Sequence, residues 1–212
     1  MVLQETGLIY MIRIVIVSII LSSCSYINYG QLPQLIKTSI VGVDLNIDKS
    51  FYDSQEYSFM KINLGKSVVA IMVLSQIDGD LYTWISESNE RIITQNGRIV
   101  ETHGLTHDMK ILTSDDLNPI YEKKDSEILL QLKSPDAIVQ QRYSVTCINK
   151  DTDYMHLTET ASLILCEETI HTDVLTWNIK NKYWLNQNNR VLRSEQLIHP
   201  KMPPVILEFY YK

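Results

Sequence analysis

Glycine and proline are both scarce in this chain of 212 residues, at seven and six. So little of either argues against low-complexity or disordered stretches. Base is also in deficit, since 19 Lys and Arg stand against 25 Asp and Glu for a net charge of −6. With no basic cluster, the electrostatic footprint of a nucleic-acid binder is missing, and so is any general attraction for an acidic polymer. No segment sustains an apolar stripe of helical period, which argues against a helical fold. There is no Gly-x-Ser-x-Gly elbow, phosphate loop or dinucleotide fingerprint. No cofactor is therefore expected. The apolar fraction of 45% and charged fraction of 21% are those of an ordinary globular protein.

Long apolar runs are also lacking. Residues 12–21 are apolar except for Arg13 and Ser18, too short for the roughly 20 residues of a membrane-spanning helix but suited to a signal-peptide core. The run ends in Leu21-Ser22-Ser23-Cys24, which resembles the lipobox of bacterial lipoproteins. Met11-Ile12-Arg13 makes a better positive start than residues 1–10, which carry Glu5 and no base, so Met11 is an alternative initiation site. The expected organisation is a signal peptide at 1–23, a lipidated tether at 24–35 beginning with acylated Cys24, and a single β-rich periplasmic domain at 36–212. An uncleaved anchor or a buried first strand is the competing reading. The resemblance implies several acyl chains, and two or more anchor stably where one does not. Ser25, rather than Asp, after the cysteine implies sorting to the outer membrane.

Beyond the tether the chain reads as many short strands. Asp78-Gly79 and Asn96-Gly97 are hairpin turn signals, because both dipeptides accept positive φ. Residues 67–77, rich in β-branched side chains, read as a central strand buried on both faces. Strands follow at 81–86, 91–95, 98–102, 126–132, 137–149, 154–166, 170–179, 182–186 and 190–198, with 57–64 before them. The polar pair Glu167-Glu168 reads as a break between two of them. Residues 205–212 alternate cleanly as a half-buried strand. Weaker signals are a strand at 38–47, a helical turn capped by Asp48 and another capped by Ser114. The fold class is all-β: packed or rolled antiparallel sheets built from a meander of short strands, with little helix. Tyr82-Thr83-Trp84 before a polar turn and Arg91-Ile92 echoes Lys182-Tyr183-Trp184 before a polar turn and Arg190-Val191, too weakly to establish a duplication.

With Cys24 assigned to lipid, Cys147 and Cys166 are left as an even pair, and an oxidising compartment favours bridging them. The alternation sets Cys147 on an apolar face and Cys166 on a mainly polar one, so a disulfide and two separate thiols both stay open.

The run from Asp78-Gly79-Asp80 through Trp84 to Arg91-Ile92-Ile93-Thr94-Gln95-Asn96-Gly97-Arg98-Ile99-Val100-Glu101-Thr102-His103-Gly104-Leu105, with Trp177, Tyr183-Trp184, Arg190-Val191, Arg193-Ser194, Gln196 and Pro200, resembles the YjbF/GfcB lipoproteins, the group 4 capsule polysaccharide lipoproteins. Leu192 and Glu195 depart from that pattern. The resemblance implies an outer-membrane lipoprotein facing the periplasm and encoded with exopolysaccharide or capsule secretion genes. It also implies outer-membrane and periplasmic protein partners, a fold of coiled β-sheets, and no enzymatic activity.

Candidate chemistry is thin. His103 and His107 with Asp108 offer metal-ligand types, but Gly104 between them at a hairpin end predicts rings that point apart. Asp78 and Asp80 share a hairpin turn and could come within the roughly 5–10 Å that glycoside chemistry requires, yet Asp-Gly-Asp is ordinary turn chemistry. Cys147 or Cys166 with His171 has nothing in view to orient the base or lower a thiol pKa. Tyr82, Trp84, Arg98 and Trp184 are the candidate surface for a partner or for sugar stacking. Cross-strand packing is the competing use of the same residue types. The expectation is a non-enzymatic accessory or adaptor in exopolysaccharide export; the alternatives are a carbohydrate-binding module contacting the polymer and, with least support, a polysaccharide-modifying enzyme.

Overall fold

The computed structural model describes residues 45–65, 68–113, 117–122, 124–149, 163–172 and 179–212, with Leu157 and Trp177 as isolated positions. The lipobox around Cys24, the tether, most of the strand expected at 38–47 and the turn expected at Ser114 lie outside the described residues.

Alternating side chains put the apolar half of each strand on one face, and closing the sheet turns that face into an interior. Among the described residues, twelve antiparallel strands form a closed barrel, each paired with its sequence neighbours, and the last with the first. They are β1 (Phe59–Leu64), β2 (Val68–Asp78), β3 (Leu81–Ile85), β4 (Arg91–Gln95), β5 (Arg98–His103), β6 (Met109–Ile111), β7 (Ser126–Leu132), β8 (Ala137–Asn149), β9 (Ile164–Thr172), β10 (Ile179–Leu185), β11 (Val191–Gln196) and β12 (Val205–Tyr210). Closure leaves each strand with two partners and removes the exposed edges that invite aggregation. The expected rolled antiparallel sheet is present as this barrel.

The interior is packed solid with large side chains. Trp84, Tyr183, Phe209, Met60 and Met72 are all fully buried, joined by Ile128, Leu130 and Leu132 from β7. In β12 the inward Val205, Leu207 and Phe209 alternate with the outward, partly exposed Ile206 and Glu208. A smaller core sits outside the wall: Phe59 and Tyr210 stack at 4.8 Å under Ile47, Leu45 and the side chains of α1 (Lys49–Ser54). Asp48 caps α1 by accepting the Phe51 N–H at 2.7 Å, as the sequence predicts.

Two expectations need correction. Glu167 and Glu168 do not break the chain; both lie within β9, paired with Thr146 and Val145 on β8. The polar pair is tolerated there because one acid faces out and the other meets a cation inside. The second concerns β2. It is central in having two partners, but Ser75–Asp78 outrun β1, pair with β3 alone and are exposed, so the strand is not buried on both faces.

Candidate functional site

The most concentrated polar chemistry among the described residues lies inside the barrel. Asn96 at φ 49° and Gly97 at φ 82° form the turn, the positive pair that a two-residue hairpin requires. Arg98 leaves this turn and points inward. Its guanidinium meets the carboxylate of Glu168 across the lumen: Nε donates to Oε1 at 3.0 Å, and Nη2 donates to the same oxygen. The other carboxylate oxygen accepts from Asn181 Nδ2 at 3.0 Å and Tyr183 OH at 2.9 Å. Arg98 Nη1 donates to the Asn118 carbonyl at 3.1 Å, and the Tyr143 ring lies 5.6 Å below the guanidinium. The two side chains are 4% and 0% exposed, so neither charge is screened by water. Such a pair survives burial because every strong donor and acceptor is met by a charge-assisted bond.

Electrostatics follows the geometry. Burial works against the Arg98 charge, but Glu168 more than offsets it, and the guanidinium is held more firmly protonated than usual. Burial, and then the charge of Glu168, push the hydroxyls of Tyr183 and Tyr143 well above their ordinary range, so both stay protonated donors. Gln196 completes the network, accepting the Ile99 N–H and donating to the Gly97 carbonyl, both at 2.9 Å, which ties the β5 hairpin to β11. The space left between Arg98, Gln141, Tyr143, Asn181 and Gln196 is about 20 Å³, room for roughly one water. The cluster locks the barrel and presents no face to a substrate.

This placement overturns half of the expected surface. Trp84 is 0% exposed, with its indole N–H donating to Thr94 at 2.9 Å, and Arg98 is spent on Glu168. Neither stacks on a sugar or meets a partner. Tyr82 is half-buried beside Trp84 and Tyr211. Trp184, on the outer wall, carries the Arg193 guanidinium 5.1 Å from its ring. Cys147 and Cys166 are directly opposed on β8 and β9 and joined by a disulfide, with Cα atoms 4.0 Å apart. Both face inward, so the contrast of faces drawn from the 154–166 alternation was misleading there.

The remaining candidates disperse. Asp108 accepts from Thr102 Oγ1 and from the Gly104 and Leu105 amides, His103 pairs with Glu101 at 2.9 Å, and His107 stacks on His199. Asp80 accepts from Gln95 and Asn96 as a turn residue, and Asp78 closes β2 opposite Leu81. His171 lies opposite Arg142 on the outer wall, distant in register from Cys166.

A family model described as "Group 4 capsule polysaccharide lipoprotein gfcB, YjbF" matches residues 43–209. The chain belongs to this family. A solved structure, that of the hypothetical lipoprotein YmcC from Escherichia coli (K12), matches with a TM-score of 0.65 at 16% identity, over 84% of this chain and 92% of that one. At that identity the likeness speaks for the fold. No curated protein matches the chain in sequence at a significant level. Against this family's capsule setting, one feature of the outer wall stands out: a groove of about 670 Å³ lined by Asp125, Glu127, Arg142, Tyr143, Ser144, His171 and Thr172. Sequence reading passed over it because Glu127, Arg142 and His171 sit on three different strands, and only the register brings them into one row. Glu168, Asn181, Tyr183 and Gln196 were missed for the same reason.

Proposed function

We infer that this capsule-family lipoprotein is held through acylated Cys24 at the periplasmic face of the outer membrane, as a non-enzymatic adaptor of polysaccharide export. The observation that carries this reading is the filled lumen. Trp84, Tyr183, Phe209 and the Arg98–Glu168 pair occupy the volume in which a barrel of this kind would hold a ligand. Contact with other molecules then falls to the outer wall and loops, as in an adaptor. The test pairs Cys24→Ala with wild type in membrane fractionation and affinity purification. Loss of lipid mass and of membrane association, with co-purification of export proteins dependent on the anchor, is the expected result. Membrane retention of the variant, or a wild type without lipid, would sink the anchoring.

The outer groove favours a second reading, direct contact with polymer. Carboxylates and a guanidinium in one row suit sugar hydroxyls. Arg142→Ala should then weaken polymer binding in titration calorimetry while leaving co-purification with protein partners intact.

A further inference from the structure

Three loops meet at one end of the barrel, those joining β5 to β6, β7 to β8 and β11 to β12. His107 from the first and His199 from the third lie face to face, with ring centroids 4.6 Å apart and planes 7° from parallel. His199 is fully buried. Its Nδ1 accepts the Lys201 N–H at 3.1 Å, while its carbonyl accepts from Met202. The backbone of Lys133 lies close enough to influence His199, and His199 Nε2 and His107 Nδ1 are both buried without a hydrogen-bond partner. Lys133, in the second loop, donates its N–H to the Asp108 carbonyl at 2.9 Å, beside His107. The stack therefore joins the first loop to the third, and the second hangs on the first.

We propose that His107 and His199 form an acid-sensitive latch, holding these loops together while the His199 ring is neutral and releasing them when it takes a proton. The surroundings oppose protonation. Burial, then the neighbouring His107, then Lys201 hold His199 below its usual value of 6.5, with the Lys133 carbonyl pulling weakly the other way. Among the acids nearby, Asp108 is spent on Thr102, Gly104 and Leu105. Glu101 is spent on His103 and Lys110, and Glu90, whose side chain lies against Gly104, interacts with Ser86. None is committed to the stack. A group favoured neutral in the fold binds fewer protons there than in the open state, so the closed form loses stability as pH falls through and below the usual histidine range.

Hydrogen exchange on the intact protein at pH 7 and pH 5, corrected for intrinsic rates, tests this. Peptides covering 104–109, 133–136 and 197–203 should exchange several-fold faster at the lower pH, while peptides confined to the strands β10, β11 and β12 do not change. His107→Phe keeps a flat ring on His199 but replaces the imidazole that faces it; His199→Asn keeps an acceptor for the Lys201 amide. Each should flatten the pH response of the three loops, and if His199→Asn fails to fold, His107→Phe decides alone. No acid response in the wild type, an equal response throughout the barrel, or a response undiminished in the variants would overturn the latch.

Discussion

Gly97 lies against Val191: a Cβ added to the glycine would sit 2.5 Å from the valine Cβ, with both γ-methyls within 2.7 Å. The hairpin that delivers Arg98 is thus pressed onto the start of β11, and the glycine also needs φ of 82°. Gly97→Ala should destabilise the fold by roughly 2–4 kcal/mol, the combined cost of left-handed strain and overpacking. Urea unfolding will check this. Gly79→Ala, where a Cβ meets nothing within 4 Å but φ is 58°, should cost only the strain, about 1–2 kcal/mol.

The two members of the buried ion pair should behave as a unit. Arg98→Met alone leaves the Glu168 carboxylate without its cation, and Glu168→Gln alone leaves the Arg98 guanidinium uncompensated; each should cost about 3–5 kcal/mol. The double variant should cost clearly less than the sum of the two. Additive losses in a double-mutant cycle would mean that the pair is not coupled across the lumen.

Buried tyrosines give the fold an alkaline limit. Tyr143, Tyr183 and Tyr211 are each pushed above their ordinary range, first by burial. The unfolded chain releases these protons near pH 10 and the folded one does not, so stability should fall as pH rises above about 10. Ultraviolet titration of the native protein should show these phenols silent until unfolding, and then ionising together.

The disulfide closes a sequence separation of 19 residues, for which loop entropy predicts about 3 kcal/mol. Cys147→Ala with Cys166→Ala should lower stability by that order, and reductant should then have no effect on the variant. A wild type equally stable with and without reductant would rule out a stabilising role for the bridge.

What could be read in advance was local. The Asn-Gly turn and the Asp48 cap depend on near neighbours and are found in place. The Asp-Gly hairpin is there one residue on, with Asp78 ending β2 and Gly79-Asp80 making the turn, and the alternation expected for 205–212 runs through Phe209 in a strand that ends at Tyr210. Facing was harder. Trp84 and Trp184 occupy matching places in two similar-looking hairpins, yet Trp84 points inward, while Tyr183 takes the inward place in β10 and Trp184 faces out. One step of register separates a core residue from a wall residue. Glu168 was less legible still. An acid in an apolar strand reads as a break unless the cation that neutralises it is known, and Arg98 lies 70 residues earlier.

The seam between β1 and β12 sets an order of events. Phe59 pairs with Tyr210, the Tyr52 hydroxyl donates to the Tyr211 carbonyl, and the Lys212 amine donates to the Tyr52 carbonyl. The start of the barrel therefore waits for β12, which lies far along the chain. Until then β1 has one partner and an open edge, the state in which strands pair wrongly. Loss of β12 would leave β1 in that state.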